Sequence, residues 1–161
     1  MIIGIDPGCS GACVVLRPDF SVQAFTLMPT VKVGTNTRVN GAALKAFLEP
    51  YLDAHAYLEQ VGAMPGQGTA SMFTFGHAAG TAEGVLQGAG IAYTLVTPQR
   101  WKKAAGLIGK DKDAARSRAI QLWPLWRELD AIGKGQALAD AALIARFAVS
   151  REAPKALVEE A

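Results

Sequence analysis

The opening run Met1-Ile-Ile-Gly-Ile-Asp6, followed by Pro7-Gly8-Cys9-Ser10-Gly11, restricts the fold more than any other stretch of the chain. Ile2, Ile3 and Ile5 are apolar on both faces of an extended segment, which suits a central strand covered on two sides. Asp6 then stands at the end of that strand, where charge is expensive. Ionised, it requires a cation, a metal or several donors nearby. A turn aspartate bonding its own Pro-Gly backbone is the other use of an acid in such a place. This stretch alone leaves both open.

The chain has 161 residues, half of them hydrophobic and 19% charged. A single globular domain over 1–150 is expected, burying roughly 70% of its unfolded surface, with 151–161 as a C-terminal tail. A net charge of +2 implies no polyanion partner by itself, so the placement of charge carries that question. Arg100, Lys102, Lys103, Lys110, Lys112, Arg116 and Arg118 stand against only Asp111 and Asp113, a local net of +5. A basic run is more often a solvated face. Concentrating the excess in one connection beside a sheet is nevertheless what a phosphate-backbone footprint looks like, and nucleic-acid binding is the favoured reading. Cys9 and Cys13 are too few for a four-ligand zinc site and are expected as free thiols. No apolar stretch is long enough for a membrane span and no signal-peptide pattern opens the chain, so a soluble, cytoplasmic protein is expected.

Three antiparallel strands are expected at the N-terminus: residues 1–6, Gly11 to Arg17 and Ser21 to Met28. Pro29 to Asn40 reads as a long functional loop and Gly41 to Asp53 as a helix. Ala56 to Val61 resumes strand character with Glu59 inside it, although a lone strand Glu is usually on a solvent face. The glycine loop Gly62 to Gly68 leads to a helix from Thr69 to Gly88, in which Gly76, Gly80, Gly84 and Gly88 form one stripe. Interior helix glycines cost about 1 kcal/mol each relative to Ala, so close backbone packing is expected there. That packing is either within the subunit or at a dimer interface, for which Gly76, Gly80 and Gly84 are the candidates. Ile91 to Val96 is a fifth strand, Pro98 starts a short helix, and a further helix covers Asp111 to Leu122. In the last helix, Gly135 to Phe147, Asp140 shares an apolar face with Ile144 and Phe147. His55 and His77 have no motif context and no expected chemical role.

Asp6, Glu59 and Asp140 are thus three inward acids, each ordinary alone and hard to obtain together by accident. Buried like charges repel, and they stay ionised together where divalent cations hold them; oxygen donors select Mg²⁺ or Mn²⁺. Two such ions about 4 Å apart would serve an in-line phosphodiester displacement without a covalent intermediate.

The series IDPG, YLEQV, FTFGHAAGTAEG, VTPQRWKK and ADAALIA, in this order over nearly the whole chain, resembles RuvC-type Holliday junction resolvases, especially their small phage and prophage forms. The resemblance implies an α/β ribonuclease H-like fold: a five-stranded mixed sheet, its first three strands antiparallel, flanked by helices. It also implies a homodimer that binds branched DNA and resolves four-way junctions by paired symmetric nicks with Mg²⁺ or Mn²⁺, two ions per active site; if phage-encoded, it would work in the cytoplasm of a bacterial host. Asp6, Glu59 and Asp140 match three of that family's four metal-binding acids. Arg100, Lys102, Lys103, Lys110 and Lys112 are the expected DNA-binding residues. The fourth acid, about one helical turn before Asp140, is missing: Gln136 and Ala137 stand there, and Gln136 is a weak candidate ligand. A non-catalytic or weakly active junction-binding module is therefore the alternative. A phosphotransferase of the actin-like kind is set low, because it needs two such domains.

Overall fold

The computed structural model describes residues 1–62 and 66–149. The expected tail and residues 63–65 of the glycine loop lie outside them. Strands β1 (Ile2–Asp6), β2 (Ala12–Leu16) and β3 (Val22–Leu27) form an antiparallel meander. Strand β6 (His55–Glu59) pairs parallel with β1 on its other side, and β7 (Ala92–Val96) pairs parallel with β6, giving the order β3-β2-β1-β6-β7. The expected five-stranded mixed sheet is present, with β1 at its centre.

Alternation along β1 sends Ile3 and Ile5 to one face and Ile2 and Gly4 to the other. On the first face they join Cys13, Val15, Ala56 and Leu58 under helices α1 (Gly41–Leu48) and α2 (Thr69–Ala89), which contribute Leu44, Leu48, Ala78, Ala82 and Leu86. The second face is covered by α5 (Lys134–Arg146), whose alanines allow a close approach. Gly4 sets that approach: a Cβ there would overlap the carbonyl oxygen of Ala141 and the nitrogen of Ala145. Helices α3 (Pro98–Ala104) and α4 (Ala114–Leu122) close the β7 side through a cluster containing Tyr57, Val96, Trp101, Ala115 and Leu143.

Three local expectations change. Residues 29–40 are not a loop but a hairpin of β4 (Thr30–Val33) and β5 (Asn36–Val39), turning at Gly34 with φ +62°. Its alternation of Val31 and Val33 is only four residues long and faces solvent, so burial does not mark it. The helix from Gly41 ends at Leu48, not Asp53, because Pro50 has no N–H to bond back to Ala46; a 3₁₀ turn, Glu49–Tyr51, follows. The glycine stripe on α2 packs on nothing among the described residues: a Cβ at Gly76, Gly80, Gly84 or Gly88 would stand in open space. Of the two alternatives, packing within the subunit is therefore not found among the described residues, and α2 docks through its Ala78, Ala82, Leu86 face.

Candidate active site

Parallel register brings two of the acids together. Ile5 pairs with Leu58, and the next residue on each strand is Asp6 and Glu59, at the carboxyl ends of neighbouring strands. Both follow the parity of the α5 face, since Gly4 touches α5 and Tyr57 lies in a cluster with Leu143 and Ile144. Asp140 arrives on that face from α5. Its helical neighbours Ala139 and Ala141 are fully buried, while Asp140 remains partly open at the sheet's end.

Burial pushes Asp6 from an ordinary 3.8 up to about 7, helped by the negative charges of Glu59 and Asp140 and opposed by the Gly8 backbone N–H. That N–H donates to Asp6 Oδ1 at 3.4 Å, so the turn role of Asp6 is present too, as a weak bond. Burial raises Asp140 to about 6; the Gln136 amide and Lys102 pull it down and Glu59 pushes it up. Glu59 is raised by burial as well, against the Trp101 indole and Lys102, which favour its charged form. Asp6, the most deeply enclosed, thus carries most of the mutual repulsion. Trp101 Nε1 donates to Glu59 Oε1 at 2.8 Å, and Gln136 Nε2 donates to Asp140 Oδ1 at 3.0 Å.

Two cavities open from the acids. One, of about 650 Å³, is lined by Asp6, Glu59, the Gly8 to Gly11 turn, and Ser71, Thr74 and Phe75 of α2. The other, of about 260 Å³, is lined by Asp140 and Gln136 together with Lys102, Lys110 and Lys112. Asp140 therefore shares a wall with three lysines and Asp111 of the basic segment. Among the described residues no three acid, His or Cys side chains gather tightly around a single point. The donor set still fits Mg²⁺ or Mn²⁺, because such ions are commonly held by one or two carboxylates with water and substrate phosphate completing the shell. The Gln136 Oε1, buried and without a hydrogen-bond partner, is a further hard oxygen at the same place.

No family model matches the chain. Over 125 residues, 74% of its length, it is 34% identical to the chloroplastic Holliday junction resolvase MOC1 of Chlamydomonas reinhardtii, of which it spans 14%. Its fold superposes on T. thermophilus RuvC in complex with a Holliday junction substrate with a TM-score of 0.66, at 16% identity, covering 93% of this chain and 94% of that one. A second Thermus thermophilus RuvC structure gives a TM-score of 0.60 at 16% identity, covering 94% and 96%. The chain is RuvC-type in fold and a homologue of a Holliday junction resolvase.

In this chain of RuvC-type fold the structure brings Asp6, Glu59 and Asp140 to one end of the sheet and sets Lys102, Lys110, Lys112 and Gln136 beside Asp140. Arg100 lies over the Phe147 ring at 5.4 Å, and Lys103 is exposed on α3; neither lines the two cavities. Ala137 is buried in the cluster with Leu129, so of the two residues at the missing acid's place only Gln136 reaches the cleft. Two residues were not singled out for the site in sequence. Trp101 was visible only as an aromatic among basic residues, and Phe75 packs 3.2 Å from where a Gly8 Cβ would stand. His55 and His77 lie elsewhere: His55 Nε2 meets Thr94 Oγ1 at 2.8 Å, and Arg38 donates to His77 Nε2 at 2.7 Å.

Proposed function

We propose that the protein is a metal-dependent endonuclease that nicks four-way or otherwise branched DNA, with Asp6, Glu59 and Asp140 as its catalytic and metal-holding residues. The observation that supports this most is the convergence of three partly desolvated carboxyls with a lysine-lined wall at the carboxyl end of β1 and β6. Bound there, Mg²⁺ or Mn²⁺, as two ions, would activate water and stabilise the leaving oxygen. Asp6, which feels the charge of both other acids, would bridge the two ions, and Lys102, Lys110 and Lys112 would draw the phosphodiester toward them while Lys103 and Arg100 extend the basic surface. The resolvase relative and the RuvC solved with junction DNA support a branched substrate.

Paired symmetric nicks call for two matching sites at fixed separation, and we assign them to a homodimer. The exposed α2 stripe of Gly76, Gly80 and Gly84 is its candidate interface, bordering a surface cavity with Gly41 and Lys45. One observation favours a second reading, a junction-binding module with little activity: the neutral Gln136 occupies the missing acid's place and spends its N–H on Asp140. A nicking assay on a synthetic four-way junction beside linear duplex, with Mg²⁺ or Mn²⁺ and with Asp6→Asn as control, decides between them. Symmetric nicks on the junction that vanish in Asp6→Asn support the nuclease; tight junction binding without metal-dependent nicks supports the module.

A further inference from the structure

We propose that Trp101 is a positioning residue: its indole N–H fixes the Glu59 carboxylate for the divalent cation and ties the basic helix α3 to the acid site. The assignment rests on the metal-dependent reading above and goes beyond it to a residue that is neither acidic nor basic. Trp101 is 2% exposed and lies in an apolar cluster with Tyr57, Val96, Leu143 and Ile144, where an aliphatic or phenyl side chain would fill space without a polar atom. An indole brings an N–H that can only donate. Of the three indoles, that of Trp123 donates to the Phe20 carbonyl and that of Trp126 has no partner, whereas that of Trp101 reaches a carboxylate at 2.8 Å.

The contact sets the direction of the carboxylate. By donating to Oε1 it fixes that oxygen's direction, and no bond from a described residue engages Oε2. Lys102, the next residue, places its ammonium 5.4 Å from the centre of the same ring. Trp101 therefore contacts both Glu59 and one of the lysines of the phosphate wall, so one rigid side chain links acid and base. The surrounding cluster, with elements from β6, β7 and α5, fixes the ring.

Trp101→Phe keeps the ring and removes the donor. We expect an unchanged fold by circular dichroism, unchanged junction binding in EDTA, and Mn²⁺ affinity weakened by about tenfold or more, the scale typical of lost partners to metal ligands. Saturating Mn²⁺ should return cleavage to the variant, and in a Glu59→Gln background the same substitution should cost no further affinity. Mn²⁺ affinity within twofold of the unmodified protein, or an equal additional loss in the Glu59→Gln background, overturns the assignment. Absence of Mn²⁺ binding in the unmodified protein removes the nuclease reading and this assignment with it, whereas normal binding with an unaffected variant removes this assignment alone. Should the variant fail to fold, ¹⁵N-indole spectra of the unmodified protein serve instead. The Trp101 signal should move saturably with Mg²⁺ while those of Trp123 and Trp126 stay; no movement, or equal movement of all three, overturns it.

Discussion

Asp6→Asn should make the metal-free protein more stable at alkaline pH while abolishing cleavage. In the unfolded chain Asp6 loses its proton near 3.8; in the fold it keeps it to about 7. Between those values the native state binds more protons, so stability falls as pH rises through this window and the full cost stands above 7. The displacement corresponds to about 4 kcal/mol for a group as enclosed as this one, an upper figure because local water and motion relax it. Asparagine has nearly the same shape and no charge to desolvate. It also removes the repulsion that Asp6 exerts on Glu59 and Asp140. Urea unfolding in EDTA should show the variant about 2 to 4 kcal/mol more stable at pH 8.5, with the difference shrinking toward zero near pH 4. Adding Mg²⁺ should then stabilise the unmodified protein and leave the variant nearly unmoved. A variant equal to or less stable than the unmodified protein at pH 8.5 would refute the claim that Asp6 is held against its charge.

Replacing Lys102, Lys103, Lys110 and Lys112 together by Ala should weaken junction binding and lower the slope of log K against log salt by roughly one per lost phosphate contact, measured by fluorescence anisotropy at several salt concentrations; an unchanged slope returns the segment to a solvated face. Gly80→Leu should shift the sedimenting species from dimer to monomer. Because a side chain at 80 meets open space and glycine costs a helix about 1 kcal/mol, that monomer should be at least as stable as the unmodified subunit. A variant that stays dimeric moves the interface off the stripe. Gly4→Ala should destabilise by about 3 kcal/mol or more, because its methyl overlaps the α5 backbone at Ala141 and Ala145, and thermal unfolding reads this directly.

The sheet and its order of elements were legible because each strand of the main sheet is apolar, flanked by turn residues and joined by helices of clear period. The β4–β5 hairpin was not, since β4 is exposed throughout and β5 buries only Val39, too little to imprint a pattern on four-residue strands. The glycine stripe was legible as a pattern and not as a contact: the sequence implies close packing somewhere, and the fold turns the stripe outward. Asp6 and Glu59 could be called inward from their strands, but their adjacency depends on the parallel pairing of Ile5 with Leu58, which lies 53 residues away in the chain and leaves no local mark. The Trp101 bond to Glu59 is of the same kind, a contact between residues 42 apart.

Gln136 shows how the site accommodates the absent fourth acid. Position 137 faces Leu129 and the buried side of α5, so a carboxylate there would meet apolar neighbours; position 136 faces the cleft. A glutamate at 136 would add a charge one turn from Asp140 and drive that carboxyl further up. Glutamine does the reverse, because its N–H bonds Asp140 and draws the pKa down while its Oε1 stays available as a neutral oxygen donor. Lys102 acts in the same direction on both Glu59 and Asp140. The cleft therefore presents fewer negative charges than a four-acid site and offsets part of them with its own lysine, which lowers the cation charge needed to hold the carboxylates ionised. If the proposed divalent ion binds beside Asp140, its affinity should accordingly depend more on phosphate oxygens brought by the DNA than on protein ligands, coupling metal occupancy there to substrate binding.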